Sequence, residues 1–245
     1  MKGDSTIMEK SALLLIADIS GYTQFMLSNR QALAHSQMII TGLTQAILSR
    51  IELPLEVAKL EGDAVFLYAF QHDDPHSWRD AQRTIGERLF AFFEAFGDKV
   101  REYVESNMCG CSACSHVGKL KLKVIVHSGV VLSYQIGAFR ELSGVDVILV
   151  HKLLKNSVPA DEYILFTEEG RRQVELDPAV MLHPGRETVE PIGEVPVLIC
   201  YPYGESPDGK QAGAAGAATP YDSPYYKWKN EAQKIWFSIR TFFTK

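Results

Sequence analysis

The hydrophobic pattern of the first part of the chain predicts a buried strand, a long helix and a hairpin. Residues 11–19 form an almost continuous apolar run that reaches Asp18 near its end, which is typical of a central strand. Apolar residues at spacings of three and four then predict a helix over 29–52, which ends before Pro54. Residues 55–70 contain two strand-like segments joined by a tight Glu-Gly-Asp turn.

The rest of the pattern predicts an alternation of helices and strands. The predicted elements are a helix at 77–107, two strands within 120–136 separated at Gly129, a helix at 147–154, a strand at 163–167, a short helix, and strands around Val189 and 195–201. The order β-α-β-β-α-β-β-α-β with further strands indicates an α+β fold, with helices packed on one antiparallel-rich sheet.

The C-terminal part differs in composition from what precedes it. Residues 204–224 are rich in Gly, Ala, Pro and Ser, which predicts a flexible linker after a single domain at 1–203. Residues 225–245 place Trp228 and other apolar residues on one helical face and lysines on the other, which predicts a basic amphipathic helix.

Charge separates the tail from the body. The tail at 225–245 carries +4 and the whole chain carries -5, so residues 1–224 carry -9. An acidic body argues against a nucleic-acid partner, because binding to phosphates needs a surface of Lys and Arg. Neither a signal segment nor a membrane-length apolar run is evident, which predicts a cytoplasmic protein. The tail is expected to dock on an anionic membrane surface, on a protein partner, or on its own domain.

Three cysteines occur close together and suggest metal chemistry. Cys109, Cys111 and Cys114 precede His116, and together they offer the three thiolates and one imidazole of a tetrahedral Zn²⁺ site. The spacing is tight for four ligands from one segment, so Cys200 or another histidine is a possible fourth ligand. A redox thiol pair and free thiols are the alternatives.

Two aspartates stand at positions suited to a different metal. Asp18 lies near the end of the first strand, and Asp63 lies in the hairpin turn. Carboxylates at adjacent strand ends can share Mg²⁺ or Mn²⁺. The alternative is that each aspartate only caps a turn.

Four motifs resemble those of class III nucleotidyl (adenylate/guanylate) cyclases, and they occur in the family's order. They are ADISGYTQFM (17–26), KLEGDAVFLYAF (59–70), VIVHSGVV (124–131) and SGVDVILVHKLL (143–154). With its CxCxxC insert, the chain is most similar to a divergent bacterial branch. The resemblance implies the ferredoxin-like class III cyclase fold.

The resemblance also implies roles for particular residues. Asp18 and Asp63 match the two metal-binding aspartates, and the backbone carbonyl of Ile19 matches a third ligand. Lys59 falls at the position of the base-selecting lysine, and Glu141 falls at the acidic partner of the adenine amino group.

Three positions depart from the family pattern. The family's transition-state asparagine falls on Ile148, its arginine falls on Lys152, and its late triphosphate-binding lysine falls on Ile192. Lysine cannot reproduce the bidentate fork of arginine, and isoleucine has no polar group to offer. Cyclase activity is therefore expected to be weak or absent.

Taken together, the residues predict a cyclase-like signalling domain that binds a purine nucleoside triphosphate, ATP rather than GTP, with a divalent metal. In the family the site lies between two protomers, which implies a homodimer. Any residual activity would convert ATP to cyclic AMP and pyrophosphate. The alternative is a non-catalytic binding or scaffold module with a structural zinc loop and a docking tail.

Overall fold

A computed structural model of the chain describes residues 7–204, 228–229 and 231–232. The strands are β1 Met8–Ser20, β2 Glu56–Glu61, β3 Ala64–Phe70, β4 Lys121–Ile136, β5 Phe139–Ser143, β6 Tyr163–Thr167, β7 His183–Val189 and β8 Gly193–Cys200. The helices are α1 Tyr22–Ser28, α2 Leu33–Leu48, α3 Pro75–Glu105, α4 Ser112–His116, α5 Val145–Lys152 and α6 Glu168–Arg172, with short 3-10 helices at Arg30–Ala32 and Val117–Lys119.

All eight strands belong to one sheet. Its order is β2-β3-β1-β4-β6-β8-β7, and β5 pairs with β4. The pairs β1 with β3, β2 with β3, β4 with β5, β6 with β8 and β7 with β8 are antiparallel, whereas β4 and β6 are parallel. The predicted α+β class with an antiparallel-rich sheet is therefore confirmed.

The described chain divides into two compact units. The first, here called the sheet unit, comprises 7–18, 51–90 and 123–204. The second, here called the helical unit, comprises 19–50 and 91–122 together with the described residues beyond 227. The sheet unit contains α5, α6 and most of the strands, and the helical unit contains α1, α2, α4 and the second half of α3.

The core of the sheet unit explains how α5 is positioned. Side chains alternate across a sheet, so every second residue of β1 and β3 faces the same way. These residues pack with Leu149 and Val150 of α5, and with Leu153 directly after it, in one buried cluster. Full burial of each such side chain stabilises the fold by about 1.5–3 kcal/mol, which is enough to fix α5 against the sheet.

In the helical unit, α2 approaches α3 very closely. A Cβ at Gly42 would lie 1.9 Å from the hydroxyl of Tyr103, so any larger residue there would displace that buried side chain. The unit also holds Gly21, whose positive φ of 85° starts α1. A Cβ there would lie 3.7 Å from the carbonyl oxygen of Lys119. The turn before α1 is thus in contact with the segment that follows α4.

Two of the expected elements differ from those observed. The helix expected over 29–52 is shorter, because Asn29 ends α1 instead of starting a long helix. Its buried side chain donates to the carbonyl oxygen of Phe25 at 2.7 Å. Gly129 does not interrupt a strand: β4 is continuous, and the missing side chain leaves room for Asp146, whose carboxylate lies 2.1 Å from a Cβ built at Gly129. The neighbouring strand β5 begins only after the turn at Gly137.

The C-terminal predictions fall mostly outside the described residues. Of the linker at 204–224 only Gly204 is described, and of the tail at 225–245 only four residues are described. The linker and the amphipathic helix therefore stay predictions, as does the extent of the first domain. Within the part of the chain that the structure describes, no helix has the length and apolar character needed to cross a membrane.

Candidate functional site

The sheet unit brings the two predicted metal-binding aspartates together. Strands β1 and β3 are antiparallel with Asp18 opposite Ala64, so the turn before β3 places Asp63 beside Asp18. The two carboxyl groups, here called the carboxylate pair, lie close enough for the charge of Asp18 to act on Asp63. The backbone carbonyl of Ile19 follows Asp18 in β1, and its role as a ligand stays a prediction.

The surroundings of the carboxylate pair raise the pKa of one of its members, Asp63. Burial, followed by the negative charge of Asp18, raises the pKa of Asp63 from 3.8 to about 6. The backbone of Asp63 and the positive charge of Lys123 act in the opposite direction, and their effect is smaller. Two adjacent carboxylates that resist being ionised together form a site that a divalent cation would stabilise.

Lys123 is a member of this site that the sequence analysis missed. Its Nζ lies 3.1 Å from Oδ2 of Asp18 and donates to the carbonyl oxygen of Leu154 at 3.0 Å. Both charged side chains of this ion pair are mostly buried. One feature of the sequence could have revealed Lys123 as a site residue. It stands between two apolar residues, Leu122 and Val124, of a strand at the centre of the sheet.

The two predicted base-recognition residues also meet. Nζ of Lys59 on β2 lies 3.4 Å from Oε2 of Glu141 on β5 within the same chain. Next to them, Arg140 donates to the hydroxyl of Tyr68 at 2.8 Å. The structure thus supports the proximity of Lys59 and Glu141, and their role toward a base stays a prediction.

The three departures from the family pattern all lie at exposed or partly exposed positions. Ile148 is 53% exposed on α5, and Lys152 is exposed one turn later on the same helix. Ile192 is 37% exposed in the turn between β7 and β8. Accordingly, α5 presents one cation and one apolar side chain where the resemblance leads us to expect two polar groups.

A contact not anticipated from the sequence joins α5 to the hairpin that carries Asp63. Nε2 of His151 lies 3.1 Å from Oε2 of Glu61, and its Nδ1 lies 2.8 Å from the carbonyl oxygen of Val147. Since Glu61 is two residues before Asp63, this histidine ties the end of α5 to the turn of the carboxylate pair.

The helical unit contains a second group of metal-binding residue types. Ligand atoms of His35, Cys109, Cys111 and Cys114, here called the thiol cluster, all lie within 4.8 Å of one another. Among the described residues, His116 does not belong to this group, whereas another histidine, His35, does. Which residue completes a metal site stays a prediction. His116 is the last residue of α4, two residues beyond Cys114, whereas His35 comes from α2.

The cysteines of the chain differ in their environment. Burial opposes ionisation of Cys111, but hydrogen bonds with His35 and with the neighbouring cysteines lower its pKa from 9.0 to about 6. Cys200, at the end of β8 in the sheet unit, has its pKa raised to about 11 by burial. All four cysteines lie in the described range, and none of them is in a disulfide.

Comparison with solved structures identifies the fold. The chain is similar to the adenylyl cyclase CyaB from P. aeruginosa, with a TM-score of 0.58 and 16% identity over 80% of this chain and 95% of that one. It is also similar to the catalytic core of a rhodopsin-guanylyl cyclase in complex with ATPαS, with a TM-score of 0.53 and 13% identity over 80% of this chain and 98% of that one.

A third structure is a class III adenylyl cyclase-like ATP-binding protein from Pseudomonas aeruginosa. Its TM-score is 0.50 and its identity 16%, over 69% of this chain and 36% of that one. The structural similarity establishes a class III cyclase fold. At identities this low it establishes nothing about activity. The expected fold is thereby confirmed, while the placement in a bacterial branch with a CxCxxC insert stays a prediction.

Comparison of sequences identifies the family. An uncharacterized protein from Mycobacterium tuberculosis, Rv2561/Rv2562, is 31% identical over 147 residues, which are 57% of this chain and 63% of that protein. The match thus spans less than two thirds of that relative's length. A family model described as "Protein of unknown function (DUF2652)" matches residues 40–163, from within α2 to the first residue of β6. The chain therefore belongs to the DUF2652 family.

Proposed function

We propose that this protein binds a purine nucleoside triphosphate, with ATP favoured over GTP, together with Mg²⁺ or Mn²⁺ at Asp18 and Asp63. The observation that carries the proposal is the carboxylate pair: two neighbouring carboxyl groups, one near the end of β1 and one in the turn before β3, with the pKa of Asp63 raised to about 6. Hard oxygen ligands of this kind suit Mg²⁺ and Mn²⁺, which keep further positions for phosphate oxygens and water.

The charges around the pair fit such a cation. Lys123 supplies one positive charge to two carboxylates, so a negative charge remains when both are ionised. A divalent ion would offset that charge and neutralise the phosphate oxygens of the nucleotide. The carbonyl of Ile19 is included in the proposal as a third ligand.

Lys59 and Glu141 are suited to recognise the base. Each is partly exposed, and their separation of 3.4 Å describes a weak ion pair at the surface. Exposed pairs of this kind contribute about 0–1 kcal/mol, so exchanging the ion pair for hydrogen bonds to a purine costs little. A lysine donor beside a carboxylate acceptor matches the ring nitrogen and the amino group of adenine, which favours ATP.

We further propose a homodimer. Apolar side chains are exposed on β2, on the β4–β5 hairpin and around α5, and together they provide a surface suited to a second copy of the chain. They are Val57, Leu60, Ile136, Phe139, Val145 and Ile148. A partner on this surface would bring its own carboxylate pair toward Lys59, Glu141 and Lys152, as the class III resemblance implies.

Catalysis is proposed to be weak or absent, and any residual reaction to be of the adenylate cyclase type. Removing one oriented donor from a transition state typically costs ~10²- to 10³-fold in rate. Ile148 and Ile192 lack such donors, and Lys152 supplies charge without the planar fork of arginine.

A non-catalytic binding or scaffold module is the second candidate, and the position of Lys123 favours it. Its ion pair with Asp18 already compensates one carboxylate from within the chain. In this case the tail at 225–245 would act as a docking segment for a protein partner or an anionic membrane surface, and the thiol cluster would serve the structure alone.

Thermal stability with and without ligand tests the nucleotide proposal. A ligand that binds only the folded state raises stability, by about 2.7 kcal/mol at a hundredfold excess over Kd. We expect Mn²⁺ with ATP to raise the Tm by several degrees. Asp18→Asn and Asp63→Asn should abolish the increase in Tm. The control variant Asp80→Asn, at an exposed position of α3, should preserve it. An unchanged Tm with millimolar ATP or GTP would contradict the proposal and favour the second candidate.

A further inference from the structure

The thiol cluster has the dimensions of a metal site. Nδ1 of His35 lies 3.4 Å from Sγ of Cys111 and 3.8 Å from Sγ of Cys109. All four ligand atoms, including Sγ of Cys114, lie within 4.8 Å of one another. They converge from α2, from the loop after α3, and from α4.

These distances can be compared with an ideal tetrahedron. With Zn–S of about 2.3 Å and Zn–N of about 2.0–2.1 Å, the tetrahedral edges are about 3.6 Å between nitrogen and sulfur and about 3.8 Å between two sulfurs. The two observed distances from Nδ1 of His35 lie on either side of the first value. The geometry therefore leaves room for one Zn²⁺ between the four atoms, with only small adjustments of the side chains.

The fold holds the cluster in place from several sides. The backbone N–H of Cys109 donates to Oδ1 of Asn107 at 2.9 Å, which shapes the loop. Cys111 immediately precedes α4, and its carbonyl oxygen accepts a hydrogen bond from the N–H of Ser115. Helix α2, which carries His35, contacts α4 directly. The ligands are thus positioned by regular elements and a hydrogen-bonded loop.

We infer that His35, Cys109, Cys111 and Cys114 bind one structural Zn²⁺ ion. Three thiolates and an imidazole form a closed tetrahedral set, which is typical of structural zinc sites and leaves no position for a substrate. Soft thiolate ligands also select zinc over Mg²⁺ and Mn²⁺. The ion would link α2 to α4 and to the loop after α3. This inference is independent of nucleotide binding, because no residue of the carboxylate pair takes part.

The experiment measures bound metal in the full chain. The protein is purified without chelator and without a nickel resin, and its metals are determined by mass spectrometry of the elements. We expect about one zinc per chain. Reconstitution with Co²⁺ should give the visible absorption of a tetrahedral thiolate complex. A wild-type protein that contains no stoichiometric zinc and takes up no Co²⁺ would overturn the inference.

Variants at two histidines distinguish the proposed ligand set from the one suggested by the sequence. His35→Ala should lose the stoichiometric zinc, whereas His116→Ala should keep it. His35→Cys should restore binding with four thiolates and change the Co²⁺ spectrum, which separates loss of a ligand from loss of the fold. Zinc that survives His35→Ala but is lost in His116→Ala would refute the role of His35.

The redox alternative has its own signature. Two cysteines that serve as a redox pair would form a disulfide on mild oxidation, seen as the loss of two hydrogens in the intact mass, in a protein without zinc. That combination would also overturn the inference. A zinc-loaded protein should instead resist the oxidant until the metal is removed.

Discussion

The carboxylate pair and the thiol cluster bring metal-binding side chains together in different ways. Each gathers side chains of metal-binding types, and each would gain from a bound cation. The carboxylate pair lies on neighbouring strands and keeps Lys123 as a partner within the chain. The thiol cluster draws His35 to cysteines that are 74 and 76 residues away in sequence.

The difference teaches what each site is suited to do. In the proposed function, oxygen ligands with an alternative partner in Lys123 would exchange a weakly held ion together with its nucleotide. Thiolates and a histidine from another helix would hold zinc tightly, and that binding energy would become folding energy. We therefore expect ligand binding at the first site and stability at the second.

Removal of zinc should have the largest effect. Treatment with a zinc-selective chelator should lower the Tm by on the order of 10 °C, because structural zinc contributes several kcal/mol and each ~1 kcal/mol shifts the Tm by ~2–4 °C in a chain of this size. Differential scanning calorimetry measures this, and adding Zn²⁺, but not Mg²⁺, should restore the Tm. An unchanged Tm after treatment with the chelator would contradict the stabilising role expected for the thiol cluster.

Repair of the degenerate positions should produce the next largest change. Combining Ile148→Asn with Lys152→Arg should raise the rate of cyclic AMP formation with Mn²⁺ and ATP by at least ~10-fold, since one oriented donor is worth ~10²- to 10³-fold. Each single change should do less, because groups acting on one transition state are not additive.

The control for this repair is the same double variant with Asp63→Asn, which should be inactive. Product formation is followed by chromatography. Turnover by the wild type on the order of 1 s⁻¹, an ordinary enzymatic rate, would show that other residues replace the missing donors.

Removal of Lys123 should increase the affinity of the carboxylate pair for Mn²⁺. Lys123→Met deletes the cation 3.1 Å from Asp18, so the affinity for Mn²⁺ should rise by about tenfold, or about 1.4 kcal/mol. Titration calorimetry of the wild type and the variant measures the change. Lys155→Met, which removes an exposed lysine, is the matched control and should leave the affinity nearly unchanged. Weaker Mn²⁺ binding in Lys123→Met would contradict the view that the lysine competes with the metal.

The smallest expected difference concerns a single thiol. After zinc removal at pH 8, Cys111, whose pKa is lowered to about 6, should react quickly with iodoacetamide, whereas buried Cys200 should react slowly. Because burial raises the pKa of Cys200 to about 11, little thiolate is present at pH 8, and its rate should increase about tenfold per pH unit toward that value. Peptide mass spectrometry follows each site. A rate for Cys200 that levels off near pH 9 would contradict the raised pKa.

Single strands and the hairpin were predictable because each depends on residues that are close together in the sequence. Residues 163–167 were expected as a strand and form β6, and the hairpin around Asp63 was expected from two strand-like segments joined by a tight turn. The element order is also right. The second strand after α3, however, was assigned to the wrong residues, because the space that Gly129 leaves for Asp146 is visible only after folding.

The sites were only partly predictable, for the same reason. Asp18 and Asp63 each sit at the end of a recognisable strand, so their meeting follows from strand pairing. His35 lies in an ordinary helical pattern, and its approach to the cysteines depends on how α2 packs near α3, including the close contact at Gly42. A histidine drawn from a distant helix leaves no local pattern to read.

The turn at Gly21 extends the reach of the thiol cluster within the helical unit. The carbonyl oxygen of Lys119, in the segment that follows the cluster, lies 3.7 Å from a Cβ built at this glycine. A zinc ion that orders the cluster would therefore also restrict the start of α1. Part of its effect on stability would then arise outside the loop that carries the ligands.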